Sequence, residues 1–379
     1  MSVTRDDLIS LASYGIPPNE SVAEELSVAL GGFISSWKKE TLPFIQAGGA
    51  ELRFLEAPYG RGKTHLLMVM GAEARKAGFA TAFIQCSQGT KPFGSLADTY
   101  RSLASSIRFP THTTGQSYNY LESIADLTPD QIQILSSSKK ITPGLNNLIR
   151  SCWKNRMLSP QHYVHSSLIA LLTADPYRQV SIRQLYRAGH GLQVPIGKLG
   201  KRTAMAWLRG ILIYPQVVGL KGLVILFDET GADFHLDREP MGIKREHFAN
   251  LRHIIDHMGV GNIPGCSITY AVAANFLESA FSILPPLAQR IERSIPNSRN
   301  FRTIWCDLDE LTEPGIDTEA FFLELGQRII NLGTKLGYEQ RHLDKAKEKL
   351  AKEALQYSRS TSNASVRTYI KSIASAITR

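Results

Sequence analysis

Ala57-Pro58-Tyr59-Gly60-Arg61-Gly62-Lys63-Thr64 has the residue types and spacing to hold phosphate. Glycines let backbone N–H groups close around phosphate oxygens, and a helix starting there adds its positive end. Lys63 is placed to reach β- and γ-phosphates, and Thr64 to offer its hydroxyl to Mg²⁺. Pro58, Tyr59, Gly60, Arg61 and His65 complete the lining of such a loop. Ala57 stands where the pattern usually has glycine, which removes some freedom from the turn.

A second motif reaches its first acid, Asp228, 164 residues after Thr64. Gly222-Leu223-Val224-Ile225-Leu226-Phe227 is an apolar run that ends in Asp228 and Glu229. A continuous apolar run reads as a strand buried on both faces of a parallel sheet. Acids at its end stand at the ligand edge of an open α/β sheet. Asp228 would hold Mg²⁺ and Glu229 would polarise an attacking water. Together the two motifs point to binding and hydrolysis of a nucleoside triphosphate. The long gap means that something large separates the early strands from the acidic one.

Two further positions belong to this chemistry. Ile268-Thr269-Tyr270-Ala271-Val272-Ala273-Ala274-Asn275 is apolar and ends in a polar residue that could position the attacking water; Asn275 also reads as the cap of the next helix. Pro286-Leu287-Ala288-Gln289-Arg290-Ile291-Glu292-Arg293 closes a helix with arginines. An arginine there could stabilise the charge of a phosphoryl group in a neighbouring subunit. Arg290 is the first choice and Arg293 the reserve.

The elements that must position these groups can be outlined. Core strands are expected at 52–56, 80–86, 222–228 and 267–273. Helices are expected at 5–13 and 20–37, with a turn at Gly15-Ile16-Pro17-Pro18 suited to an adenine pocket and a cap at Asn19 or Ser21. Helices 64–77, ending at Gly78, and 94–107 follow the first two strands. Residues 109–215 read as mostly helical, interrupted at Pro110, Pro129, Pro143, Pro160, Pro176 and Pro195. A helix over 239–258 follows the acidic strand, and the chain is helical again from 317. This divides it into N-terminal helices with the first part of a nucleotide-binding core (1–108), a helical basic insertion (109–215), the second part of the core (216–312) and a helical C-terminal lid (313–379).

Composition bounds the reading. The 379 residues are 43% hydrophobic and 20% charged, as in a globular protein. No apolar run is long enough for a membrane span, and the polar N-terminus is unlike a signal peptide. Cys86, Cys152, Cys266 and Cys306 lack metal-site spacing and read as buried thiols of a reducing cytoplasm. The net charge of +9 is unevenly spread. Residues 139–221 carry thirteen Lys or Arg against one acid, Asp175, an excess of +12 that leaves the rest of the chain at −3. Such a concentration is the electrostatic footprint of a nucleic-acid contact, here interleaved with Trp153, Tyr163, Tyr177, Tyr186 and Trp207. It also suits an acidic protein partner.

Laid out in order, these segments resemble the BrxD-type ATP-binding proteins of bacterial BREX phage-defence systems. Ser13-Tyr14-Gly15-Ile16-Pro17-Pro18, the loop Tyr59 to Leu67 with its unusual His65, and Lys221-Gly222-Leu223 leading to Asp228-Glu229 carry the likeness. So do Arg245, Asn250-Leu251 and Ile255-Asp256, then Leu287-Ala288-Gln289-Arg290-Ile291, Asp307 to Thr312, and Val366-Arg367. Thr230 and Gly231 depart from the family pattern after the acids. The resemblance implies an AAA+-like P-loop NTPase core, a parallel sheet with a helical lid, binding ATP and Mg²⁺. It implies that Arg367 is a lid arginine sensing nucleotide, and that the chain works beside other defence components on DNA. The leading expectation is therefore an oligomeric ATP-driven motor or switch on DNA. The alternative is an ATP-loaded matchmaker that recruits an effector protein, and a small-molecule kinase is weaker because no acceptor site is evident.

Overall fold

The computed structural model describes residues 3–58, 60–86, 94–110, 117–228, 240–291, 301–308, 318–358 and 365–378. Its frame is one sheet of seven strands: β1 (Ala50–Glu56), β2 (Ala80–Gln85), β3 (Ile107–Pro110), β4 (Ser117–Tyr118), β5 (Leu223–Asp228), β6 (Cys266–Val272) and β7 (Phe301–Asp307). The order across the sheet is β4-β3-β2-β5-β6-β1-β7. From β2 to β7 every pairing is parallel, while β3 and β4 add an antiparallel edge.

β1, β5 and β6 are buried along their whole length, and β5 accordingly reads as an apolar run up to Asp228. Alternate residues still choose opposite faces. Leu223, Ile225 and Phe227 join Leu52, Phe54 and Ile268 in the larger core. Val224, Leu226, Leu55 and Ala271 face the other way, into a smaller core.

The helices in chain order are α1 (Arg5–Tyr14), α2 (Glu20–Glu25), α3 (Gly31–Gln46), α4 (Lys63–Lys76), α5 (Leu96–Ser106), α6 (Tyr120–Ala125), α7 (Pro129–Ser137), α8 (Pro143–Lys154), α9 (Tyr163–Leu172), α10 (Ile182–Ala188), α11 (Ala204–Val217), α12 (Met241–Gly259), α13 (Phe276–Ile283), α14 (Pro285–Ile291), α15 (Thr318–Lys335), α16 (Gln340–Ser358) and α17 (Ser365–Thr378). α3 and α4 cover the smaller core through Trp37, Ile45, Leu66 and Met70. α5, α11, α12 and α13 cover the opposite face, through Leu103, Ile211, Leu251 and Leu277. The same apolar cluster continues into α8 and α9 through Leu145, Leu148, Leu168 and Leu171.

A third core joins the two ends of the chain. Leu8, Leu11, Val22 and Leu26 pack against Phe322, Ile329, Tyr369, Ile373 and other residues of α15–α17. Arg5 ties this seam by donating to the carbonyls of Leu336 (3.1 Å) and Gly337 (2.8 Å). α2 is also held on two sides. Glu20 pairs with Arg75 and Glu24 with Lys76 of α4. Glu25 pairs with Lys335 of α15 at 2.7 Å.

Several expectations need correction. The helix expected over 20–37 is two helices: the chain breaks after Glu25, Ala29 takes a left-handed conformation (φ 62°), and α3 starts at Gly31. Asn19, not Ser21, caps α2 by accepting from the Val22 N–H at 3.1 Å. β7 was not expected, nor were β3 and β4, which begin within or beside a stretch read as helical. Pro129 and Pro143 start α7 and α8 rather than interrupting helices, because the first turn has no use for the missing N–H. Among the described residues, no helix is long and apolar enough to cross a membrane. The four cysteines are free.

Candidate nucleotide site

β1 leaves the sheet at Glu56, and the chain turns through Ala57 and Pro58 to enter α4 at Lys63. Gly60 (φ 83°) and Gly62 (φ 95°) supply the left-handed turns this entry requires. Ala57 is not among the residues with positive φ; its N–H bonds to the Val272 carbonyl at 3.3 Å. An alanine therefore carries no backbone strain at this position.

The parallel strands end on the same edge. Thr64 donates its hydroxyl to the Asp228 carboxylate at 2.8 Å, joining the first turn of α4 to the end of β5. β6 lies between β1 and β5, and its end presents the small residues Ala271 and Ala273, which leave room between the two. Lys63 donates to the carbonyls of Ala57 and Pro58, the latter at 2.9 Å.

One cavity opens over this edge. Gly60, Arg61, Gly62, Lys63, Thr64, His65 and Asp228 form its polar side. Gly15-Ile16-Pro17 and Leu26, Val28 and Leu30 form a wall from the N-terminal segment. Phe321 and Leu325 of α15, with Val366, Arg367 and Ile370 of α17, close it from the other side. A slot with charged groups at one end and apolar walls at the other fits a molecule with a phosphate end and a flat apolar end.

His65 follows Thr64 on α4. It lines the cavity and is largely surrounded by protein, and this burial with the nearby Arg328 charge pushes its pKa down to about 4. It is a neutral ring at ordinary pH.

The sequence-derived positions divide into two groups. Gly60, Arg61, Gly62, Lys63, Thr64, His65, Asp228 and Arg367 meet in the cavity, and Pro58 lies beside it as a partner of Lys63. Asn275 and Arg290 are not among its lining. Asn275 is exposed, has φ 63°, and its side chain does not cap α13. Arg290 pairs with Asp256 of α12 and donates to the Pro286 carbonyl at 2.8 Å. Tyr59, Glu229 and Arg293 lie outside the described residues.

Leu26, Val28, Leu30, Leu308, Phe321 and Leu325 are walls that spacing did not indicate. The first three were hidden inside the expected 20–37 helix. Only the cavity, visible in three dimensions, brings them together.

The aromatics of the basic stretch also divide. Trp207 is core, edge-on to Tyr100 at 5.3 Å. Trp153 donates to the Leu127 carbonyl at 2.8 Å and carries Arg156 over its ring. Tyr163, Tyr177 and Tyr186 are exposed.

The family model described as BREX system ATP-binding protein BrxC/D matches residues 3–133 and 131–379. No curated protein and no solved structure matches the chain. With a match spanning nearly every residue, the chain belongs to the BrxC/D family of BREX-system ATP-binding proteins.

Proposed function

We propose that the chain is an AAA+-like P-loop ATPase that works as an oligomeric motor or switch on DNA within a bacterial defence system. The observation that carries this is the 2.8 Å hydrogen bond between Thr64 and Asp228, inside a cavity that also collects the glycine loop and Arg367. The sheet order supports it, with one strand, β6, between the loop strand β1 and the acidic strand β5.

In this reading the loop N–H groups and Lys63 hold the phosphates, and Ile16, Pro17 and Val366 enclose the base. A hydroxyl and a carboxylate are hard oxygen donors that suit Mg²⁺, which takes few protein ligands beside phosphate oxygens. Thr64 and Asp228 would hold it, and when bound it would neutralise phosphate charge. Glu229, next in chain, takes the proton of the attacking water as its oxygen bonds to the γ-phosphorus and the bond to the β-phosphate oxygen breaks. Asn275 orients that water once the edge closes. Arg290 exchanges Asp256 for the γ-phosphate of a neighbouring subunit. Arg367 reports on the nucleotide from the lid, 313–379, while 109–215 is the insertion that contacts DNA and the segments 1–108 and 216–312 make up the rest. Other defence proteins are partners, and the free thiols suit the cytoplasm.

The test is ATP turnover with and without DNA. Glu229→Gln is expected to abolish turnover while ATP binding persists. Unchanged turnover in that variant would overturn the mechanism.

A further inference from the structure

The basic excess of 139–221 has a specific edge. α9 and α10 are joined by a loop whose tip, Tyr177, is 97% exposed. Beside it, Arg178 reaches back to the Ser166 hydroxyl on α9 at 2.7 Å. Tyr163 lies three residues before Ser166, on the same side of α9, and its hydroxyl bonds to Gln184 of α10 at 3.2 Å. These two contacts lay the loop tip, the outer side of α9 and the start of α10 along one edge. Arg183 and Arg187 stand four residues apart on α10, both exposed.

Several charges elsewhere on the chain are paired. Lys38, Arg75, Lys76, Arg302, Arg328 and Lys335 each pair with a carboxylate. Among the described residues, Arg178, Arg183 and Arg187 pair with none. The one acid of the stretch, Asp175, instead accepts from the Tyr177 N–H at 2.8 Å and so shapes the loop that presents the ring. Leaving several guanidinium groups unpaired on one edge is favourable where an anion covers them.

We propose that this edge takes single-stranded DNA, with a base stacked on Tyr177 and backbone phosphates on Arg178, Arg183 and Arg187. The inference rests on the DNA reading above and refines it. An exposed ring next to cations suits a strand whose bases are free to stack; a duplex offers phosphates but no open base face. Stacking of this kind is sequence-tolerant, so the edge grips a strand without reading it.

The test uses the full-length protein and fluorescence anisotropy with a labelled 20-residue oligothymidylate, the matching duplex and an RNA of equal length. Tyr177→Ala is expected to weaken single-strand binding about 5- to 160-fold, from the loss of one stacked base. Tyr177→Phe is expected to restore it, because the ring and not the hydroxyl is used. Arg183→Ala with Arg187→Ala should lower the slope of log affinity against log salt by about 1.4. Lys139→Ala with Lys140→Ala, in the same basic stretch but outside this edge, should leave the Tyr177 effect intact. If the unaltered protein binds no nucleic acid, the DNA reading itself falls and this inference with it. If it binds DNA and Tyr177→Ala binds equally well, this inference alone is overturned. Tighter binding of duplex or RNA than of the DNA single strand also overturns it and leaves the ATPase reading untouched.

Discussion

Gly15 rests on the backbone of Arg367: a Cβ added at Gly15 would stand 2.4 Å from the Arg367 carbonyl oxygen. Gly15 also has φ 67°, a conformation that costs a side-chain-bearing residue about 1–2 kcal/mol. Gly15→Ala therefore combines strain with a clash between the N-terminal turn and α17. It should lower the Tm by about 2 °C or more and weaken ATP binding, because both residues line the cavity. Gly219→Ala, at φ 89° with no atom within 4 Å, is the control for strain alone. It should lower Tm and leave ATP affinity unchanged, as read by calorimetry and nucleotide titration.

Asp228→Asn keeps the shape of the side chain and removes its charge. Thr64 can still donate to the amide oxygen across the 2.8 Å contact. The fold should persist, while the gain in ATP affinity from added Mg²⁺ should shrink at least about tenfold, on the order of 1.4 kcal/mol. Titration of ATP with and without Mg²⁺ reads this directly. An undiminished Mg²⁺ effect would place the ion elsewhere.

His65 makes stability depend on pH. Its folded pKa, about 4, lies below the ordinary value of 6.5, because burial and Arg328 disfavour the charged ring. The folded state binds fewer protons than the unfolded chain between those values. The stabilisation is thus fully present above pH 6.5 and is lost as pH falls toward 4, by at most ~1.4 kcal/mol per pH unit. His65→Asn should flatten that part of the stability profile. Chemical denaturation from pH 7 down to pH 4.5 measures it.

Ala57→Gly tests whether the departure from the usual loop pattern matters. Ala57 has no positive φ and is 1% exposed in the core below the loop. Glycine there should cost about 0.5–1 kcal/mol of stability through chain entropy and leave ATP affinity within about twofold. A large gain in affinity would mean that the alanine does constrain the loop.

Arg290 offers a test of assembly. Its pairing with Asp256 keeps it outside the cavity lining of its own chain. If it serves a neighbour, Arg290→Ala and Glu229→Gln should each lack turnover alone. Mixed, they should regain part of it, because an intact Glu229 then meets an intact Arg290. Absence of recovery in assembled mixtures would argue against action between subunits.

The legible parts of this chain are those where chemistry and local structure demand the same residues. The loop Gly60-Arg61-Gly62-Lys63-Thr64 needs positive φ at its glycines and a helix beginning at once, so the motif announces both. β5 needs two buried faces and ends at Asp228, so its apolar run and its acid mark it as a ligand-edge strand. β7 was legible in principle, since Phe301, Thr303, Ile304 and Trp305 are strand-forming types, but Arg302 and Asp307 interrupt any apolar run. Arg302 is tolerated because it pairs with Glu51 at 2.6 Å, a contact 251 residues away in the chain. The break at Ala29 was not legible, because an alanine in a helical run carries no sign of a left-handed turn. The walls Leu26, Val28, Phe321 and Leu325 depend on the two chain ends meeting, which local spacing does not encode.

α2 has only six residues, but its glutamates grip two bodies at once. Glu20 and Glu24 hold Arg75 and Lys76 in the last turn of α4; Glu25 holds Lys335 of α15. The other end of α4 begins with Lys63 and Thr64. That helix is about 20 Å long, with Lys63 and Thr64 at one tip and the partners of α2 at the other. α15 is thereby linked to the far tip of α4 through α2, while its own Phe321 and Leu325 line the cavity. None of the six residues in these ion pairs lines the cavity, so α15 and α4 are joined by a second route besides the one across it.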